Sequence, residues 1–357
     1  MLEQLVRARN LPALKSREEM LDIVLREEFG YLPEVPFSMT VGEPTVVDAV
    51  LGRGECTLDR VDMTVETAYG SHTFPVHRLL HNDGKKRPFF IALLFHPEVP
   101  NRYYVPELIA DNDFDVLSVC YQELTKDNPD FTDGIAGVLL PNGQDTPDTC
   151  GKIALWSWCA QRLMDYAQTL PQLDAARGAI IGHSRLGKTA LLTGMTDERF
   201  RYVCANDAGC AGDALCRGGL GVTGNAGKRG TAGEAIGNIT ATFGYWFNKN
   251  YARYADSGIP DEFDQHYLLA CIAPRCVCVG SADLDDWADP DSQQLCCVAA
   301  SEAWERAGVS GFVHEDRILG ADECLLDGNV GYQRRAGVHY LSYRDWLTYM
   351  EFIRRHP

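Results

Sequence analysis

The period of the apolar positions changes several times along the chain, and each change predicts an element. Residues 17–29 (REEMLDIVLREEF) carry Leu, Ile and Val at helical spacing between charges, which predicts an amphipathic helix that GYLPEVP then breaks. From about 56 to 95 the alternation has a period of two. CTLDRVDMTVET and SHTFPVHRLL read as half-buried strands, and after the polar turn NDGKKRP the run FFIALLF reads as a fully buried one. The run 114–123 predicts another buried strand, followed by a polar, Gly- and Pro-rich stretch over 125–148.

Helical periodicity returns over 151–169, and RGAIIGHS (177–184) is a short β-branched strand that ends in a glycine turn. RLGKTALLTGM continues as a helix, and YVCAND (202–207) is the next strand. Residues 208–240 are rich in Gly, Ala and Thr without period, which predicts a site-forming loop. A helix around 261–270, a strand over 274–282, a helix over 291–307, a strand over 311–316 and a closing helix over 343–354 complete the order. Strands that alternate with helices imply a doubly wound α/β fold, its mostly parallel sheet covered by helices on both faces.

Composition adds limits. At 357 residues with 45% hydrophobic content the chain can fill a large two-sided core, expected as one domain over 1–357 with a helical extension over about 1–35. A formal charge of −17 repels phosphate backbones and anionic headgroups, so neither nucleic acid nor membrane is an expected partner. The amino terminus has no apolar h-region, and no run is long enough to span a bilayer, so a cytoplasmic location is expected. Thirteen cysteines lie inside apolar runs such as CVCVG (276–280), as buried small hydrophobes of a reducing compartment do. None has zinc-site spacing, and neither metal nor organic cofactor is expected.

The segment AIIGHSRLGKTALL (179–192) carries the chemistry. A strand, a sharp turn holding Ser184 between Gly182 and Gly187, then a helix is a nucleophile elbow: the hydroxyl stands clear of the sheet, and the helix aims N–H groups at a developing oxyanion. The backbone N–H of Arg185 falls where such a donor is wanted. The second glycine comes one place late, at Gly187. A serine nucleophile needs a base and an orienting acid, in the chain order Ser, acid, His. Of His266, His314 and His339, only His339 falls between the last strand and the last helix, where such folds place the base. Asp207, after one strand, and Asp283, Asp285 and Asp286, after the next, all precede it, so order does not choose the acid. Asp289 is expected to cap the helix that begins at Pro290.

GHSRLGKTAL (182–191), NDAGCAGDAL (206–215), GYWF (244–247), FDQHYLLACIAPR (263–275), SADLDDWADP (281–290) and GYQRRAGVHYLSYRDW (331–346) together resemble the glucuronoyl esterase family of carbohydrate esterases, with EEFGYLP (27–33) resembling its amino-terminal segment. The late glycine is that family's elbow spacing. The resemblance implies an α/β-hydrolase fold and a serine esterase acting on a small carbohydrate ester. The leading substrate is a 4-O-methyl-glucuronoyl ester; an acetylated sugar, or a catalytically silent sugar-binding protein, is the alternative. It implies Ser184 as nucleophile, His339 as base, and Arg185 as oxyanion support through backbone and side chain. Lys188, Glu234 and Trp287 would be sugar contacts. For the acid it favours Asp207, with Asp285 as partner or substitute.

Overall fold

In the computed structural model, which describes residues 1–217 and 233–357, the alternating segments pair at one end of a large sheet. Phe37–Val41 (β1) and Thr45–Asp48 (β2) each pair antiparallel with Cys56–Thr67 (β3), which forms a long antiparallel hairpin with Gly70–His81 (β4). On β3 the period-two pattern buries Val61, Met63 and Val65 and leaves Arg60, Asp62 and Glu66 outside.

The parallel centre follows. It comprises Arg87–Leu94 (β5), Asp115–Cys120 (β6), Leu173–His183 (β7), Tyr202–Asn206 (β8) and Cys276–Ala282 (β9), and Glu323–Leu325 (β10) hangs antiparallel on Val330–Arg335 (β11) at the far edge. The order is β1-β3-β4-β6-β5-β7-β8-β9-β11-β10. Because both faces are covered, β5, β6, β8 and β9 are buried at every position. Phe89, Ile91 and Leu93 join the core beneath the helices Lys152–Ala167 and Arg185–Thr196, while Phe90, Ala92 and Leu94 join the core beneath Tyr343–Arg355. This is the α/β-hydrolase arrangement.

The amino-terminal extension is bound into the domain. Leu2–Ala8 is helical, and Ser16 and Glu19 form a capping box at the start of the helix Arg17–Val24. Tyr267 and His266 reach back to the carbonyls of Ala13 and Pro12. All thirteen cysteines are free; eleven are buried, and Cys324 is exposed. Among the described residues no helix is long and apolar enough to cross a membrane.

Three expectations change. The segment 311–316 is not a strand: only Phe312 bridges Val330. The last strand is β11, whose polar GYQRR does not read as one because Gln333 and Arg335 point inward and are satisfied by buried Asp345. The 291–307 helix divides into Pro290–Ala300 and Glu302–Arg306. Of the expected 208–240 loop, residues 218–232 lie outside the described residues, and Ile236–Phe243 is a helix.

Candidate active site

β7 ends at His183, and the helix Arg185–Thr196 begins one residue later, so the whole reversal falls on Ser184. Its backbone sits at φ 58°, ψ −125°, a region that a non-glycine residue occupies only where its surroundings impose it. The turn is pinned by Ser184 N–H donating to the Asn206 carbonyl on β8 at 2.8 Å. A Cβ at Gly182 would lie 2.0 Å from the Leu186 carbonyl oxygen, so no side chain fits there. Gly187 lies where the helix crosses β8, and a Cβ there would meet Ala208 and the Asn206 carbonyl, each at 3.1 Å. That crossing accounts for the late glycine, while the position before it, Leu186, packs wholly into the core.

The base and its acid come from two adjacent parallel strands. Asp285 follows β9 and His339 follows β11, and the two loops are joined by Asp283 N–H donating to the Arg335 carbonyl (2.7 Å) and Leu284 N–H to the Gly337 carbonyl (2.9 Å). His339 Nδ1–H donates to Asp285 Oδ2 at 2.5 Å, which leaves Nε2 as the lone-pair nitrogen. The preference for Asp207 as the acid is therefore corrected. Asp207 follows β8, on the other side of β9, and its Oδ1 accepts from the Ala282 N–H at 2.7 Å. Burial, and then the carboxylates of Asp285 and Asp345, push its carboxyl well above the usual range. Asp283 is paired with Arg334, and Asp289 caps the helix at Pro290 as expected.

Ser184, Arg185, Lys188, Asp207, Glu234, Trp287 and His339 all line one cavity of about 210 Å³. The first turn of a 12-residue helix, with the backbone N–H of Arg185, borders it. The Arg185 guanidinium lies over the rings of Trp246 (4.6 Å), Phe243 (5.3 Å) and Phe95 (5.7 Å) and is paired with Asp127. Lys188 is buried, and its Nζ donates to the Ala208 carbonyl. Burial raises the carboxyl of Glu234, opposed by the Lys188 charge and a hydrogen bond with the Trp287 side chain. Trp287 is 37% exposed at the rim. His266 and His314 lie outside this cavity: the first is held by the Pro12 carbonyl, and the second accepts from the Asp316 N–H.

Two residues at the site were not anticipated. Asp127 collects Arg185, Trp246 Nε1–H (2.6 Å) and the hydroxyls of Tyr121 (3.0 Å) and Tyr245 (3.2 Å), and so fixes the arginine. Arg335, buried against Asp345, fans its guanidinium over the carbonyls of Ala336 (3.0 Å), Val338 (3.0 Å) and Tyr340 (2.8 Å), which shapes the loop that carries His339. Neither carries a sequence signal of its own, since Asp127 lies in the polar stretch 125–148 and Arg335 in the polar GYQRR.

Comparison with known proteins bears on the fold and the family. The model of fungal glucuronyl esterases matches residues 144–308. The chain is 33% identical over 234 residues to carbohydrate esterase MZ0003 from an unknown prokaryotic organism, covering 64% of this chain and 51% of that protein. It is 29% identical over 192 residues to the 4-O-methyl-glucuronoyl methylesterase of Hypocrea jecorina, covering 53% and 40%. The chain thus spans about half the length of the first of these curated relatives and less of the second. Among solved structures it is similar to the glucuronoyl esterase from Solibacter usitatus (TM-score 0.80, 28% identity, 96% of this chain and 92% of that one). It is also similar to a promiscuous CE15 esterase from a marine bacterial metagenome (TM-score 0.81, 25% identity, 96% and 91%). Fold, elbow and whole-chain similarity lead to one conclusion: the chain is similar, over nearly its whole length, to the glucuronoyl esterase family of carbohydrate esterases.

Proposed function

We propose that this chain is a serine carboxylic-ester hydrolase acting on a carbohydrate ester, foremost a 4-O-methyl-glucuronoyl ester, through an acyl-enzyme on Ser184. The observation that carries the reading is the strained Ser184 turn, which opens on the same cavity as a histidine whose Nδ1–H is held by Asp285. Ser184 Oγ attacks the ester carbonyl while His339 Nε2 takes its proton, and the imidazolium that forms is stabilised by Asp285. The helix amino terminus and the Arg185 N–H face the oxyanion, with the caged guanidinium adding positive charge. His339 then protonates the leaving alcohol and activates the water that frees the acid. Lys188, Glu234 and Trp287 supply the polar and ring surfaces that a sugar needs.

An acetylated sugar is the second substrate class, favoured by the similarity to an esterase described as promiscuous. A panel of benzyl glucuronate, an acetylated xylo-oligosaccharide and p-nitrophenyl acetate, run on wild type and Ser184→Ala, tests the proposal. Wild type should prefer the glucuronate ester, and the variant should lose on the order of 10⁴ or more in kcat. Equal turnover by the two proteins would refute the nucleophile assignment, and preference for the acetate would refute the substrate.

A further inference from the structure

Beside the nucleophile, His183, Asp207 and His339 each offer one ligand atom, and the three atoms lie within 4.8 Å of one another. We infer that this two-histidine, one-carboxylate set binds a divalent first-row transition metal ion such as Zn²⁺, and that the ion switches the site off by occupying the lone pair of His339. The inhibitory consequence rests on the esterase reading; the binding site does not.

Three observations carry it. First, each ring has its Nδ1–H tied to an oxygen, His183 to Asn206 Oδ1 at 2.7 Å and His339 to Asp285 Oδ2 at 2.5 Å. That is how metal-ligating histidines are oriented, with the other nitrogen left to coordinate. Second, Asp207 Oδ2 is buried without a hydrogen-bond partner beside the His183 ring, while its other oxygen is fixed by the Ala282 N–H. A buried carboxylate oxygen without a partner is costly, and a cation satisfies it. Third, the reach is right. Three points no more than 4.8 Å apart share a centre at most about 2.8 Å from each, against about 2.0–2.2 Å for zinc–nitrogen and zinc–oxygen bonds. The His339 side chain, 41% exposed, has room to close the difference.

Imidazole with carboxylate suits zinc, cobalt and nickel rather than magnesium or calcium. A metal on Nε2 removes the lone pair that would take the serine proton, so the expected effect is inhibition that a chelator reverses.

The test uses the full chain in a Cys324→Ser background, which removes the exposed thiol as a competing ligand. Co²⁺ is titrated while its visible d–d absorption is followed, and Zn²⁺ inhibition of ester hydrolysis is measured on the same proteins. One saturable Co²⁺ site is expected. His183→Phe, which keeps a ring in the stack, and Asp207→Asn should each weaken it at least about tenfold, and should raise the Zn²⁺ inhibition constant in parallel relative to each variant's own uninhibited rate. Absence of Co²⁺ binding, or unchanged affinity in both folded variants, overturns the site. Co²⁺ bound through these residues in a protein without esterase activity would support the site and refute the esterase reading; hydrolysis insensitive to Zn²⁺ would do the reverse.

Discussion

His339 and Asp285 meet through a single 2.5 Å hydrogen bond between loops that leave neighbouring parallel strands, β11 and β9. Because those loops are also laced by backbone hydrogen bonds, the carboxylate reaches the ring without help from the longer side chain of a glutamate. Asp285→Asn should lower kcat by on the order of 10³–10⁴, since an amide no longer enforces the tautomer or stabilises the imidazolium. Asp207→Asn should cost at least a hundredfold less. Steady-state kinetics on the two variants decide it, and a reversed order would return the role to Asp207.

The clamp on the base loop gives a second expectation. Arg335→Ala leaves Asp345 buried without its partner and should cost about 3–5 kcal/mol of stability, read by denaturant unfolding. Arg335→Lys keeps the charge but cannot span three carbonyls, so His339 should drift. A fall of about 10–100-fold in kcat with little change in KM is expected.

A third concerns the arginine after the nucleophile. Asp127→Asn removes the carboxylate that pairs with Arg185, and Arg185→Lys removes the planar fork that stacks on Trp246. Each should lower kcat by about 10²–10³, the usual cost of an oxyanion donor. Loss confined to KM would show that Arg185 serves binding alone.

Much of this site was legible in the chain, and what was not has identifiable causes. Ser184 could be found because an elbow is a local event: Gly182, the serine and Gly187 lie within six residues, and both glycines sit at close approaches. His339 followed from its place after the last strand, although that strand was misplaced to 311–316 because β11 buries polar residues. Asp285 against Asp207 was not legible, because chain order carries no information on which loops lie side by side. Asp127 and Arg335 were missed for a related reason: a buried charge is recognisable only through its partner, and Asp127 reaches Arg185 from 58 residues away.

A pH dependence of stability follows from Glu28, wholly buried beside Gln265. Burial raises its carboxyl from 4.5 to about 8. In the fold it therefore keeps its proton up to about pH 8, whereas in the unfolded chain it loses it above about 4.5. Between those values the native state binds the extra proton, so this group's contribution is present at low pH and is lost as pH rises, with a limiting slope of about 1.4 kcal/mol per pH unit. Glu28→Gln lacks that proton. Its stability relative to wild type should climb between pH 4.5 and 8 and level off above. Parallel unfolding curves across that range would contradict the assignment.

The most direct test of the central claim is covalent. A fluorophosphonate probe should label the intact chain once, at Ser184 by peptide mapping. Labelling should vanish in Ser184→Ala and slow by orders of magnitude in His339→Ala, because the hydroxyl is inert without its base. Folded protein that takes up no probe, or takes it up at another residue, would contradict the account.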